Sequence, residues 1–333
     1  MDWPLPIRIL LWPLSWVYAL VVRCKTALYS RGILQQKQLN GVVISVGNLT
    51  VGGTGKTPMV LWLAEKFLGE GKRVAILSRG YRGGAGTSDE IELLKRRLDG
   101  RVRFGVGADR FAEGHKLEQA EPVDVFLLDD GFQHWKLARD VDIVMLDGSK
   151  RLAQEWLLPA GCLREPISAC RRSDLLVVTR RFERPPIEAS DSHERQLFHA
   201  QTRLLGFRRL GERTAPSYLS AIGAGPFFAF CGIGNPQAFF ADLKRWCVPV
   251  CGQREYRDHH HYSSRDGAML LAMAKQSGAT GLVTTEKDEQ NLSHTRIEHM
   301  PVYVAVMELF FSSESEFVPV LDRILKERRG RSL

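Results

Sequence analysis

Cysteine is sparse and scattered in this chain. The six cysteines, Cys24, Cys162, Cys170, Cys231, Cys247 and Cys251, form no dense framework along 333 residues, which excludes a disulfide-stapled scaffold and suits free thiols in a reducing, cytosolic setting. Cys247 and Cys251 precede His259, His260 and His261, yet they lack a second pair at a finger's spacing, so the pattern fits no standard zinc site. Internal repeats and low-complexity tracts are missing, which removes solenoids and disordered linkers. No helix with a cationic stripe and no aromatic RNA-binding motif accompanies the net charge of +8. That charge therefore reads as attraction to anionic lipid or phosphorylated substrates, with no nucleic acid expected. A hydrophobic content of 44% is enough to bury a full core, and the length favours one large or two medium domains.

Charge is also lacking at the start of the chain. From Trp3 to Val22 the one charged residue is Arg8, and Trp3, Trp12, Trp16 and Tyr18 lie among aliphatics before Arg23, Lys25, Arg31 and Lys37 arrive. Aromatic rings followed by cations suit a membrane interface facing anionic lipid. The uncharged stretch Ile9 to Val22 contains Pro13 and falls short of the about 20 apolar residues that a span needs. An interfacial helix is expected, with a buried core helix and a true span as the alternatives. A signal peptide is disfavoured, because the charges follow the apolar stretch and no small-residue cleavage site succeeds Val22.

The strongest motif lies next. Val42 to Asn48 is an apolar run feeding Leu49-Thr50-Val51-Gly52-Gly53-Thr54-Gly55-Lys56-Thr57-Pro58. A strand ending in a Gly-rich turn and Gly-Lys-Thr is built to hold phosphate: glycines expose backbone N–H groups, Lys56 reaches phosphate oxygens, and the Thr57 hydroxyl offers a Mg²⁺ ligand. Thr50 occupies the place of the first glycine of the usual pattern, so the turn is a variant that uses Gly52 and Gly53. A plain strand-to-helix turn is the simpler alternative.

Beyond the loop, Pro58 to Gly69 reads as a helix, with Pro58 tolerated in its first turn. Arg73 to Leu77, Val123 to Leu128, Val141 to Leu146 and Leu175 to Thr179 are nearly continuous apolar runs, the pattern of parallel strands covered on both faces. Glu183 to Arg213 is polar and broken by Pro185 and Pro186, which predicts a boundary. A second α/β unit follows: strands over Pro226 to Ile233, Gly281 to Thr285 and Val302 to Met307, helices over Pro236 to Trp246 and Arg265 to Ser277, and a closing helix over Phe317 to Arg328.

Several side chains have the chemistry that a phosphate site needs. Asp129 and Asp130 end an apolar strand, where a carboxylate would meet a metal, although a solvated turn is the alternative. Glu165 lies in a loop rich in turn residues. Arg79 and Arg82 follow the second strand and are able to bind phosphate, or to form a solvated basic turn. Ser88-Asp89-Glu90 precedes an apolar-periodic run from Ile91, so it reads first as a helix cap and only secondarily as a source of a base. Asp258-His259-His260-His261-Tyr262 offers imidazoles beside a carboxylate, and Lys287 is either a phosphate contact or a charged turn.

Taken together, Gly47 to Pro58, Ser78-Arg79-Gly80-Tyr81, Asp89-Glu90, Asp129 to His134, Leu158-Pro159-Ala160-Gly161, Leu163 to Pro166, Gly232 to Pro236, Asp258-His259-His260 and Thr284 to Asp288 resemble the tetraacyldisaccharide 4'-kinase family, the lipid A kinases of Gram-negative bacteria. Val51 stands where regulatory ATPases with a deviant P-loop carry Lys, which separates the chain from them. The resemblance implies ATP and Mg²⁺, an α/β fold with a P-loop NTPase-like parallel sheet, and a lipid A disaccharide 1-phosphate precursor met at the cytoplasmic face of the inner membrane, with no obligate protein partner evident. It implies a membrane-associated segment over 1–37, a kinase domain over 38–190, a linker with a two-stranded hinge over 191–224, and a smaller domain over 225–333 that closes over the nucleotide and brings His259 toward the loop. Of the residues, Thr50, Val51, Gly52, Gly53, Thr54, Gly55, Lys56 and Thr57 would cradle the nucleotide. Thr57, Asp129, Asp130 and Glu165 are its candidates for the metal, and Arg79, Arg110 and Gln133 for the acceptor. Asp89 would be the base, with His259 orienting it and Lys56 stabilising the transferred phosphoryl; the active histidine lies among 259, 260 and 261.

Overall fold

The computed structural model describes residues 4–80, 88–149, 151–180, 197–212, 214–292, 295 and 297–330. They form two compact units, one of Met1–Thr87, Arg97–Gln201 and Leu309–Leu333, the other of Ser88–Arg96 and Thr202–Glu308. Arg82 lies outside the described residues.

In the first unit the apolar runs become β1 (Val42–Asn48), β2 (Val74–Ser78), β4 (Val125–Asp129), β5 (Val141–Asp147) and β6 (Leu175–Thr179), each buried along its whole length. A short β3 (Arg103–Val106) and the first part of β7 (Leu197–Arg209) complete the order β3-β2-β4-β1-β5-β6-β7, every adjacent pair parallel. Helices α2 (Lys56–Gly69) and α4 (Arg110–Ala120) belong to this unit. Because β1 lies between β4 and β5, the loop leaving its carboxyl end opens where the strand order reverses, the usual ligand position in such sheets.

The apolar N-terminal stretch forms α1 (Leu5–Ser30), which continues through Pro13 and well past Val22. By length and composition it is able to cross a membrane. Its large apolar residues, including Leu10, Trp12, Trp16, Val17, Leu20 and Val21, are exposed, while Ser15 and Ala19 are buried.

The second unit orders its strands as the remainder of β7, then β11 (Val302–Phe311), β10 (Gly281–Thr285), β8 (Phe227–Cys231) and β9 (Val250–Glu255). Helices α5 (Pro236–Arg245), α6 (Ser264–Gln276) and α7 (Glu286–Asn291) complete it, together with the start of α3 (Asp89–Leu98). Phe207, Phe227, Phe239, Leu243 and Val283 make one apolar layer, and Phe228, Phe230, Tyr262, Leu270 and Leu282 another. Ser263 and Asp266 close a capping box on α6, which satisfies two otherwise unpaired N–H groups.

Three placements bear on the expected domain bounds. The stretch expected as a linker with a two-stranded hinge over 191–224 contains the strand β7, whose alternation of half-buried and buried positions is masked in the sequence by its His and Arg residues. The closing helix, α8 (Glu314–Arg329), belongs to the first unit rather than to the smaller domain over 225–333. Its Phe317 is fully buried, stacked on Phe311 with centroids 4.5 Å apart and edge-on to Trp62 and Phe198. Asp322 pairs with Lys66 at 3.3 Å, and Arg329 pairs with Asp140. The segment 88–96, expected within 38–190, groups with the second unit.

Truncating Phe317 to Ala removes an aromatic side chain from a packed core, a cost of roughly 3–5 kcal/mol. Thermal denaturation of the variant should show the midpoint lowered by on the order of 10 °C; an unchanged midpoint would mean that α8 does not complete this core.

Candidate functional site

The loop after β1 is shaped by its sequence and held by its neighbours. Gly55 adopts a left-handed φ of 87° and caps α2, so Lys56 and Thr57 open the helix; a side chain at such a φ is strained. Gly52 is left-handed too, at 120°. Asn48, fully buried, donates from Nδ2 to the Thr54 hydroxyl at 3.1 Å and to the Gly52 carbonyl at 3.4 Å. Thr179 at the end of β6 donates to the Thr54 carbonyl at 3.0 Å. On the other side, Val51 N–H donates to the Cys162 carbonyl at 2.8 Å and Arg164 N–H to the Leu49 carbonyl at 2.7 Å. The amino end of α2 thus opens directly from a glycine-rich turn held in shape from both sides, and a helix amino end favours anions.

Acidic groups stand at the adjoining strand ends. Asp129 is buried at the end of β4, in register with Val46 of β1. Asp130 has a left-handed φ of 54° and lies 3.5 Å from Lys56 Nζ. Arg164 donates to both of its oxygens, at 2.8 and 2.6 Å. Burial pushes the Asp130 carboxyl up, but Lys56 and then Arg164 outweigh it and hold it below the usual carboxylate range, so the charged form is favoured. Glu165, expected at a metal, is 2% exposed, and Arg172 donates to both its oxygens at 2.6 and 2.8 Å. That guanidinium also sits 3.5 Å above the Phe132 ring. A paired guanidinium is what a buried carboxylate requires, so the pair by itself accounts for the burial of Glu165.

Of the expected acceptor residues, Gln133 donates to the Asn48 carbonyl at 2.9 Å, which fixes it against the loop. Arg79 is exposed, whereas Arg110 is buried at the start of α4 and donates to the Ala108 carbonyl. Burial foremost, and then Arg79, lowers the proton affinity of Arg110, with Asp130 and Asp129 opposing; these charges therefore share one neighbourhood. His134 belongs to it as well. Burial, Arg110 and Arg139 push its pKa down to about 4, leaving a neutral imidazole near pH 7.

In the second unit, Asp89 is the first residue of α3, and Ser88 takes over capping by accepting from Ile91 N–H. The Asp89 side chain is thereby released for other partners. His259 Nδ1–H donates to its Oδ2 at 2.9 Å, and Asn291 Nδ2 donates to the same oxygen at 3.0 Å. Gln290 donates to the Asp89 carbonyl, and Lys287 pairs with Glu90 at 2.9 Å. Farther along, Arg96 and Arg208 share Glu289. The left-handed φ of His259, 58°, turns it away from its neighbours, and its N–H donates to the Gly232 carbonyl. His260 instead pairs with Asp266 and stacks on Tyr256, and His261 is exposed. His259 is therefore the histidine of the three that the fold brings to Asp89.

Asn48, Arg164, Arg172, Gln290 and Asn291 received no role from the sequence alone. Asn291 carried a weak signal, since it falls three residues after Asp288 on the short α7. Among the described residues no cluster of three or more His, Cys, Asp or Glu side chains is placed to hold a metal, so any metal here would need a hydroxyl or ligand oxygens beside a carboxylate.

A family model described as LpxK: Tetraacyldisaccharide-1-P 4'-kinase matches residues 7–326. A Tetraacyldisaccharide 4'-kinase of Geobacter metallireducens is 38% identical over 334 residues, covering 94% of this chain and 96% of the relative. Its namesake in Geobacter sulfurreducens is 37% identical over 329 residues, covering 93% and 91%. Among solved structures, Aquifex aeolicus LpxK in complex with ATP superposes with a TM-score of 0.76 at 30% identity, covering 96% of this chain and 99% of that one.

The Asp89–His259 bond predicts how stability depends on pH. Hydrogen bonding to Asp89 raises the His259 pKa, and the bond to His259 lowers that of Asp89 against the effect of burial. A raised histidine stabilises the fold fully below its unfolded value, about 6.5, and ceases to as pH rises through its folded value; a lowered aspartate stabilises above its unfolded value, about 4, and ceases to as pH falls. The difference in midpoint between the native chain and His259→Ala should therefore be largest between about pH 4 and 6.5 and shrink toward pH 9. A difference that grows with pH would contradict the pair.

Proposed function

The chain belongs to the tetraacyldisaccharide-1-P 4'-kinase family, and we infer that it transfers the γ-phosphate of ATP to the 4'-hydroxyl of a tetraacylated glucosamine disaccharide 1-phosphate. The observation that carries this reading is the family match over residues 7–326. The geometry supports roles for the residues.

Residues 50–57 cradle the ATP phosphates, with N–H groups of the turn from Gly52 onward as donors and Thr50 and Val51 framing it, and Lys56 neutralises charge on the phosphoryl in flight. The acceptor oxygen attacks the γ-phosphorus, the bond to the ADP oxygen breaks, and the hydroxyl proton passes to Asp89. His259 and Asn291 both donate to Oδ2 of Asp89, which orients Oδ1 for that proton. Because His259 lowers the Asp89 pKa, the base is ionised at neutral pH, ready to accept but mild in strength. Phosphoryl transfer depends chiefly on positioning and electrostatics, so a mild base suffices. Thr57 and the buried Asp129 offer hard oxygens suited to Mg²⁺, which when bound would neutralise phosphate charge. Glu165 and Asp130 serve their guanidinium partners. Arg79, Arg110 and Gln133 are assigned to the acceptor, with Arg79 and Arg110 supplying cations for its phosphate.

An acylated acceptor stays in the membrane, so α1 is read as a peripheral anchor on the cytoplasmic face of the inner membrane. Its exposed Trp12 and Trp16, and the cations that follow them, suit that interface.

Labelled phosphate should pass from ATP to the disaccharide 1-phosphate in detergent micelles, with Lys56→Ala and Asp89→Ala each lowering the rate by roughly 100-fold or more. Absence of transfer by the native chain would reject the kinase reading. Substituting Ser for Leu10, Val17 and Val21 should abolish co-sedimentation with anionic vesicles while sparing ATP binding; undiminished sedimentation would reject the anchor.

A further inference from the structure

The side chains on the seated face of α1 converge on one loop of the first unit. Arg8, Leu11, Ser15, Tyr18, Ala19 and Val22 recur at helical spacing and are the less exposed positions between Leu5 and Val22. Ser15, 6% exposed, donates from its hydroxyl to the Leu157 carbonyl at 3.0 Å and accepts from Ala160 N–H at 3.2 Å. Tyr18 donates to the Arg164 carbonyl at 2.9 Å. Arg8 pairs with Glu155 at 3.8 Å and lies over the Trp156 ring. A hydroxyl in an otherwise apolar helix is costly unless it is satisfied, and both hydroxyls find their partners in residues 157–164.

The other edge of that loop is bonded to the phosphate loop. Val51 N–H reaches Cys162, and Arg164 N–H reaches Leu49. Leu163, which bridges to Leu157, also bridges to Thr50. Arg164 joins the two sides: its carbonyl accepts from Tyr18, its N–H holds Leu49 just past β1, and its guanidinium grips Asp130 beside Lys56. We propose that Ser15 and Tyr18 are positioning residues for the nucleotide, so that the seating of α1 sets the affinity of the phosphate loop for ATP. The proposal rests on the reading of residues 50–57 as the ATP site. It makes α1 more than an anchor, because its lipid-facing and loop-facing sides have separable effects.

The test uses the full chain in detergent micelles. Tyr18→Phe keeps the ring and removes the hydroxyl; Ser15→Ala removes the other. Each should weaken ATP binding and raise KM for ATP by about 3- to 10-fold, as expected for one lost hydrogen bond, with kcat at saturating ATP and vesicle co-sedimentation unchanged. Val17→Ser, on the lipid side, should weaken sedimentation and leave ATP affinity as it was. Amide hydrogen exchange at Val51 and Arg164 should accelerate in Tyr18→Phe, whether or not nucleotide is present. Unchanged exchange at those amides overturns the coupling, as does native ATP affinity in both hydroxyl variants. If the native chain binds no ATP, the reading of residues 50–57 falls, while the exchange comparison still decides whether α1 shapes the loop.

Discussion

A glycine-rich turn has little shape of its own, because its residues lose more conformational freedom on ordering than others do. The phosphate loop here is ordered by hydrogen bonds from outside it. Asn48 crosses beneath it to Thr54 and Gly52, Thr179 holds its far end, and residues 162–164 bind its near end. Much else in the first unit follows from that requirement. Arg164 has to remain in place, so it is held by Asp130 and by Tyr18; residues 157–163 have to remain folded, so Ser15 fills their turn. Close packing enforces the same arrangement, since a Cβ on Gly47 would come within 2.4 Å of the Phe132 Cβ.

In the second unit a half-buried carboxylate is held in its charged form. Asp89 has a half-buried position, where burial alone would raise its pKa, and His259 and Asn291 reverse that effect. The positions of both donors are fixed by backbone features. His259 is turned by its left-handed φ and held by Gly232, whose own N–H donates to the buried Asp288. Asn291 comes from α7, which also binds α3 through Gln290, Lys287 and Glu289. The Gly232 contact thus ties the backbone of His259 to a buried network that also includes the Tyr262 hydroxyl on Asp288.

The central strands were legible in the sequence because they are buried on both faces, and an uninterrupted apolar run admits few other readings. β7 was not, since it is exposed along much of one side and its polar positions resembled a linker. β9 is exposed at most positions and left no alternation to follow. For the sites, Lys56 and Thr57 are proposed from local spacing alone. Asp89 was ambiguous, because a helix start offers an acidic residue both a cap and a partner; that Ser88 does the capping depends on the turn's actual geometry. Its partner lies 170 residues away, and no local pattern reports a contact of that separation. The pairing of Glu165 with Arg172 was equally hidden, because a carboxylate in a loop reads alike whether it faces a metal or a guanidinium.

The second unit is an insertion within the first, since α8 returns to pack Phe317 against Trp62, Phe198 and Phe311. During synthesis from the amino end, at about 5–20 residues per second, the ribosome finishes the inserted unit before it makes Phe317. Over that interval the first unit exposes the aromatic surface that α8 will cover, while the second already has most of its chain. Until α8 is made, the aromatic surface of the unit that begins first and finishes last stays uncovered.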